Sequence, residues 1–152
     1  MKANNGKGNN ESRDMWQTPQ WLFDSLDDLY NFDIDVCATK DNSKCDKYLK
    51  DFLLEKNLNS LICWMNPPFS KSKAMFHHFF RWVKKGVAIY RCDNLETSIW
   101  QDIIFTKASW IFIPDKRIVY EGMEGKGSRF PSALIGFNVP KPTGLKGVIL
   151  EV

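Results

Sequence analysis

Asn66-Pro67-Pro68-Phe69 is the stretch of this chain best equipped to do chemistry. It follows the apolar run Leu61-Ile62-Cys63-Trp64-Met65 and precedes Ser70. The two prolines fix φ and remove two backbone donors, so the local carbonyls stay free as acceptors. The Asn66 side-chain oxygen is a further acceptor, and the Phe69 ring offers a stacking face. Together these groups can grip an exocyclic amino group and stack the ring that carries it. The same four residues also suit a rigid turn at a strand end, because Pro-Pro cannot continue a central strand. Only the surrounding elements can decide between the two.

Those elements follow from the hydrophobic pattern. Thr18-Pro19 reads as a helix start, with Thr18 at the cap and Pro19 at the first helical position. Trp21, Leu22, Leu26 and Leu29 continue it with helical spacing. Phe32–Ala38 alternates and reads as a first strand. Leu61–Met65 is a second, apolar throughout and therefore buried on both faces. Ser72–Lys85 reads as a helix with Phe76, Phe79, Phe80 and Val83 on one face and Gly86 as its C-cap. Val87–Tyr90 is a third strand, Thr97–Phe105 a helix, and Ser109–Ile113 a fourth strand stopped by Pro114. Ile118–Tyr120 reads as a fifth, before a Gly/Lys-rich loop over 122–129. Ala133–Phe137 and Val148–Val152 close the chain. The alternation predicts an α/β sheet with an antiparallel end. A polar leader is expected over 1–13, followed by one domain over 14–152.

In an open α/β sheet, ligands bind beyond the carboxyl ends of the strands. Asp35–Ala38, Asn66–Phe69 and Arg91–Asn94 end the first three strands and should share one rim. That coincidence favours the amino-group grip over the plain turn.

The 152 residues carry 21 basic and 18 acidic side chains, a net charge of +3. This is a weak lean toward an anionic partner. Behind the Pro-Pro turn, however, Lys71, Lys73, Arg81, Lys84 and Lys85 have no acid among them, which suits phosphate contacts or a solvated helix face. The four cysteines show no paired spacing and read as reduced core residues. No metal site is expected from them or from His77-His78. No signal peptide and no apolar run of about 18 residues is present, so neither export by that route nor a membrane span is expected.

At this point the sequence resembles a family. Trp16-x-Thr18-Pro19-x-x-Leu22-Phe23, then Phe32-Asp33-Ile34-Asp35-Val36-Cys37-Ala38, then Asn66-Pro67-Pro68-Phe69, is similar to the phage-type DNA N6-adenine methyltransferases. The likeness continues with Arg117 and with Arg129-Phe130-Pro131-Ser132-Ala133-Leu134, and covers about residues 14–138. It implies a Rossmann-like methyltransferase fold, S-adenosylmethionine as cofactor, and adenine in double-stranded DNA as acceptor. A place in the cytoplasm of a bacterial host is expected, in keeping with reduced cysteines, and a monomer or weak dimer is expected as well. By that likeness Asn66, Pro67, Pro68 and Phe69 are catalytic. Trp16, Thr18, Pro19, Asp35, Cys37 and Ala38 line the cofactor pocket.

The chemistry agrees. Asp35 at a strand end can pair with the cofactor ammonium, and the hydroxyl and amides around Thr18 suit its carboxylate. Thr18-Pro19 alone would equally be a helix cap. Phosphate contacts are expected from Lys71, Lys73, Arg117, Lys126 and Arg129. Two departures stand out: no Gly-rich loop follows the first strand, and Asp41, Asp46, Asp51 and Glu55 all compete for the cofactor ribose. Other amino acceptors remain open at this stage: cytosine N4, adenine in RNA, or a protein amide. So does a non-catalytic DNA-binding role.

Overall fold

The computed structural model describes residues 14, 16–122 and 130–152. The expected leader over 1–13, Lys126 and Arg129 lie outside the described residues. The order of elements is α1 (Gln20–Tyr30), β1 (Ile34–Asp35), β2 (Lys47–Tyr48), β3 (Leu58–Met65), α2 (Ser72–Trp82), β4 (Val83–Arg91), a π-helix at Ile99–Ile104 running into α3 (Phe105–Lys107), β5 (Trp110–Pro114), β6 (Ser132–Phe137) and β7 (Gly147–Glu151).

Among the described residues the strands form one sheet in the order β2-β1-β3-β4-β6-β5-β7. β2, β1, β3 and β4 run parallel; β6 joins β4 antiparallel, and β5 joins β6 and β7 antiparallel. The mixed α/β sheet with an antiparallel end is thus as the alternation predicts. One apolar layer packs α2 and the π-helix on the sheet through Phe76, Phe79, Trp100 and Ile104. The other packs α1 on the opposite face through Leu22, Phe23, Leu26 and Tyr30. The buried stripe of α1 differs from the expected one: Leu22 and Leu26 are buried with Phe23 and Tyr30, while Trp21 and Leu29 face outward. The thiols of Cys45 and Cys63 are pushed up to about 12, chiefly by burial, which keeps them protonated and unreactive.

Four local expectations are corrected. The first strand is shorter than Phe32–Ala38, although Asp33, Val36 and Ala38 still bond to neighbouring strands or to Leu49. Ile118–Tyr120 forms no strand; Glu121 instead makes a two-bond bridge to Gln17. Pro19, rather than Thr18, caps α1, and its carbonyl accepts from the amides of Leu22 and Phe23.

Gly86 caps nothing. α2 ends at Trp82 and β4 begins at Val83, so Gly86 lies inside the strand. A Cβ there would sit 2.6 Å from the Cys63 carbonyl and 2.8 Å from the Phe79 ring. The glycine is what lets α2 press close to the sheet. Gly86→Ala is therefore expected to cost about 2 kcal/mol, or roughly 4–8 °C of Tm. An unchanged thermal midpoint would show that Phe79 yields freely.

Candidate active site

The parallel strands bring the three polar turns to one rim. In the paired registers Asp35 lies beside Trp64, and Met65 beside Ala88, so the chain leaves β1, β3 and β4 side by side.

The Asn66 turn is held from several directions. The Asn66 side-chain amide donates to the Trp16 carbonyl at 3.3 Å. A carbonyl can only accept, so this contact fixes the amide and turns its oxygen away from Trp16 as a presented acceptor. The Pro68 carbonyl is consumed by the Lys71 amide at 3.1 Å and the Ser72 hydroxyl at 3.2 Å. Among the described residues no hydrogen bond uses the Pro67 carbonyl. Asp14 accepts from the Ser70 amide at 3.0 Å and from its hydroxyl at 2.5 Å, a tether with no signal in the sequence.

Phe69 does not project as a free platform. It is half-buried, with the edges of Trp16 and Phe130 against it at ring distances of 5.9 and 5.5 Å. The Arg91 guanidinium stands 4.7 Å from the Phe130 ring centre and 5.9 Å from that of Phe69, while its nitrogens grip both oxygens of Asp93. That ion pair holds the Asp93 carboxyl below its usual range.

Behind the turn lies a small cavity lined by Trp16, Thr18, Asp35, Cys37, Lys44, Trp64 and Asn66, among others, with a volume of about 30 Å³. It gathers four of the six residues expected at the cofactor, together with Asn66. Pro19 and Ala38 stand next to that wall as buried backbone supports. Two buried polar groups on it have no partner among the described residues: the Thr18 hydroxyl and the Trp64 indole nitrogen. Orphaned polar groups inside a fold are uncommon and costly. Here two share one cavity with a buried carboxylate.

Asp35 is 3% exposed. Its oxygens accept from the amides of Cys37 at 3.2 Å and Lys44 at 3.0 Å. Burial nevertheless outweighs these bonds and raises its pKa from 3.8 to about 6. No side-chain cation among the described residues pairs with it. Lys44 instead points its ammonium to the Gln20 amide oxygen at 2.9 Å and lies 3.9 Å from the Glu121 carboxylate.

The start of α1 is already served: the Gln20 amide donates to the Glu121 carboxylate at 3.0 Å. The helix-start amides expected to meet a ligand carboxylate are therefore partly occupied, by a residue 101 positions away. The cationic expectations divide. Lys71 and Lys73 are exposed and line one groove beside α2. Arg117 lines a separate cleft beside α1.

Residues 5–120 match the family model described as DNA N-6-adenine-methyltransferase (Dam). The chain belongs to this DNA N-6-adenine-methyltransferase family. A protein of Haemophilus phage HP1 (strain HP1c1), also described as a DNA N-6-adenine-methyltransferase, is 27% identical over 150 residues. The match covers 87% of this chain and 83% of the phage protein. The resemblance read from the ordered motifs is borne out, and N6 methylation of adenine in DNA is the chemistry of the family whose model spans this site. Among the described residues no helix is long and apolar enough to cross a membrane.

Proposed function

We propose that this chain carries out its family's reaction with S-adenosylmethionine as methyl donor, bound at the Asp35 cavity, and with the target adenine presented at the Asn66 turn. One observation supports this above all. Thr18 and Trp64, whose hydroxyl and indole N–H have no partner among the described residues, line one cavity with Asn66 and the buried Asp35, which has no side-chain cation bridged to it.

The donor set matches an amino-acid zwitterion. Asp35 suits an ammonium. The Trp64 N–H, the Thr18 hydroxyl and the cation of Lys44 suit a carboxylate. The cavity has room only for a water-sized group as it stands, so the walls formed by Trp16 and the Asn42–Lys44 turn must part to admit the cofactor. Asp51 lies three residues beyond the end of β2, the strand beside β1, and is the acid we assign to the cofactor ribose. We read the sheet as a Rossmann-like methyltransferase fold over residues 14–152, supported by its parallel centre and this rim.

S-adenosylmethionine supplies a methyl group on a sulfonium, open to in-line displacement. The residues of the chain do the rest. Adenine N6 is a poor nucleophile because its lone pair is delocalised into the ring. The Asn66 side-chain oxygen and the Pro67 carbonyl accept hydrogen bonds from its two N–H groups and draw the nitrogen toward sp³ geometry; once methylated the nitrogen is acidic and gives up one proton to water, leaving the neutral thioether as the other product. Positioning and polarisation by fixed acceptors supply the acceleration. The base must leave the duplex stack to reach this turn, at a cost of a few kcal/mol. The cluster of Phe69, Trp16 and Phe130 offers aromatic surface in exchange, and Lys71 and Lys73 suit the phosphates.

Incubating the protein with labelled cofactor and short duplexes, then digesting to nucleosides, tests this. N6-methyladenine is the expected product; N4-methylcytosine would overturn it.

The orphaned groups give a separate prediction. Thr18→Val and Trp64→Phe each remove an unsatisfied polar atom while keeping most of the volume. Each should stabilise the ligand-free protein by about 1 kcal/mol and weaken cofactor binding by a similar amount. Thermal melts with and without S-adenosylmethionine would reveal the crossed effect, and two variants unchanged in both conditions would refute it.

A further inference from the structure

We propose that the cleft beside the first turn of α1 is a second DNA subsite. There Trp21 stacks on a base or sugar of the strand flanking the target, and Lys116 and Lys146 meet its phosphates. The subsite rests on the reading of this chain as a DNA methyltransferase.

The cleft has a volume of about 300 Å³ and separates α1 from the chain that leaves β5. Its apolar wall includes Trp21, Phe112 and Ile118, and its cations are Lys116, Arg117 and Lys146; among the described residues Asp115 is the only carboxylate lining it. No described carboxylate pairs with Lys116 or Lys146. The Asp115 amide donates to the Lys146 carbonyl at 3.0 Å, joining the two loops that carry these cations.

Trp21 is 60% exposed, whereas its neighbour Leu22 is 2% exposed. The largest side chain on the helix's first turn is thus kept out of the core. An exposed aromatic among cations is the arrangement that holds single strands: a stacking face that accepts any base, ringed by phosphate partners. Charge complementarity favours a polyanion over a second protein surface.

Placement supports the same occupant. β5 runs in the direction of β4, because both are antiparallel to β6. Pro114–Ile118 therefore leaves the sheet on the same rim as Arg91. The turn that carries Trp21 begins at Thr18-Pro19, so the cleft and the Asn66 cavity share one short segment. A strand whose target base meets the Asn66 turn would carry its neighbouring nucleotides along this rim toward the cleft.

Direct binding of a short adenine-containing duplex, followed by anisotropy over a range of salt, tests the subsite without requiring turnover. Trp21→Ala is expected to weaken binding about tenfold, and Trp21→Phe, which keeps a stacking face, to restore most of it. The double variant Lys116→Ala/Lys146→Ala should lower the slope of log affinity against log salt by about 2. Cofactor affinity and kcat at saturating DNA should stay near wild type, with the change in KM. Wild-type affinity and slope in both variants would overturn the subsite. So would a Trp21→Ala protein whose sedimentation changes while its DNA affinity does not, which would assign the cleft to a second copy of the chain. If Trp21→Ala fails to fold, the lysine variant decides alone. Wild-type protein that binds DNA through the cleft yet transfers no methyl to it would sink the catalytic reading and leave the subsite standing.

Discussion

Asn66→Ala is expected to lower kcat on DNA on the order of 10²–10³-fold, with cofactor affinity held within a few-fold. The size follows from what is lost. The Asn66 oxygen is one of two acceptors proposed for the amino group, and the Trp16 carbonyl holds its amide at 3.3 Å. A prepositioned acceptor costs nothing to orient during the reaction, so removing it strips stabilisation where charge develops. Asn66→Asp keeps an acceptor but sets a carboxylate against the Trp16 carbonyl, and should fall between alanine and wild type. Single-turnover kinetics with saturating cofactor and DNA would separate chemistry from binding. Full activity in Asn66→Ala would remove the turn from the mechanism.

Asp35 carries the second large effect. Burial raises its pKa to about 6 in the ligand-free fold. Raised above its unfolded value, this carboxyl contributes stability that is fully present below about pH 4. That contribution is lost as pH rises through about 6, and the loss amounts to about 3 kcal/mol. A bound ammonium reverses the preference and favours the charged form. Cofactor affinity should therefore fall about tenfold per pH unit below 6 and level off above it. Asp35→Asn should bind on the order of 10²-fold more weakly at neutral pH, with a flat profile through that window. Calorimetry between about pH 5 and 8 reads both curves. A wild-type affinity indifferent to pH there would separate Asp35 from the ammonium.

The sequence made legible what short-range patterns encode. Leu61–Met65 reads as a strand because a buried parallel strand is apolar throughout, and the turns after β1, β3 and β4 announce themselves by Asp, Asn and Pro. Contacts between distant positions were not legible. Asp14 reaches Ser70 and Glu121 reaches Gln20 across tens of residues, with no local signal for either. Trp16, Phe69 and Phe130 looked like separate aromatics, and only the fold shows one cluster. Gly86 read as a cap because glycine commonly ends helices; its actual constraint, the approach of Phe79, belongs to a different element. The Thr18 hydroxyl reads as a cap for the same local reason, yet it caps no helix and has no hydrogen-bond partner among the described residues.

The passage from α2 into β4 without an intervening residue bears on how this enzyme can move. With no slack at that junction, α2 cannot slide along the sheet when DNA arrives. At Gly86, where the Phe79 ring already meets the strand, it cannot press any closer either. Adjustment that admits a cofactor or a flipped base then falls to the opposite end, in the Trp16 segment and the Asn42–Lys44 turn. Insertions or fused partners will be tolerated at that yielding side only at the expense of catalysis, and between α2 and β4 only at the expense of folding.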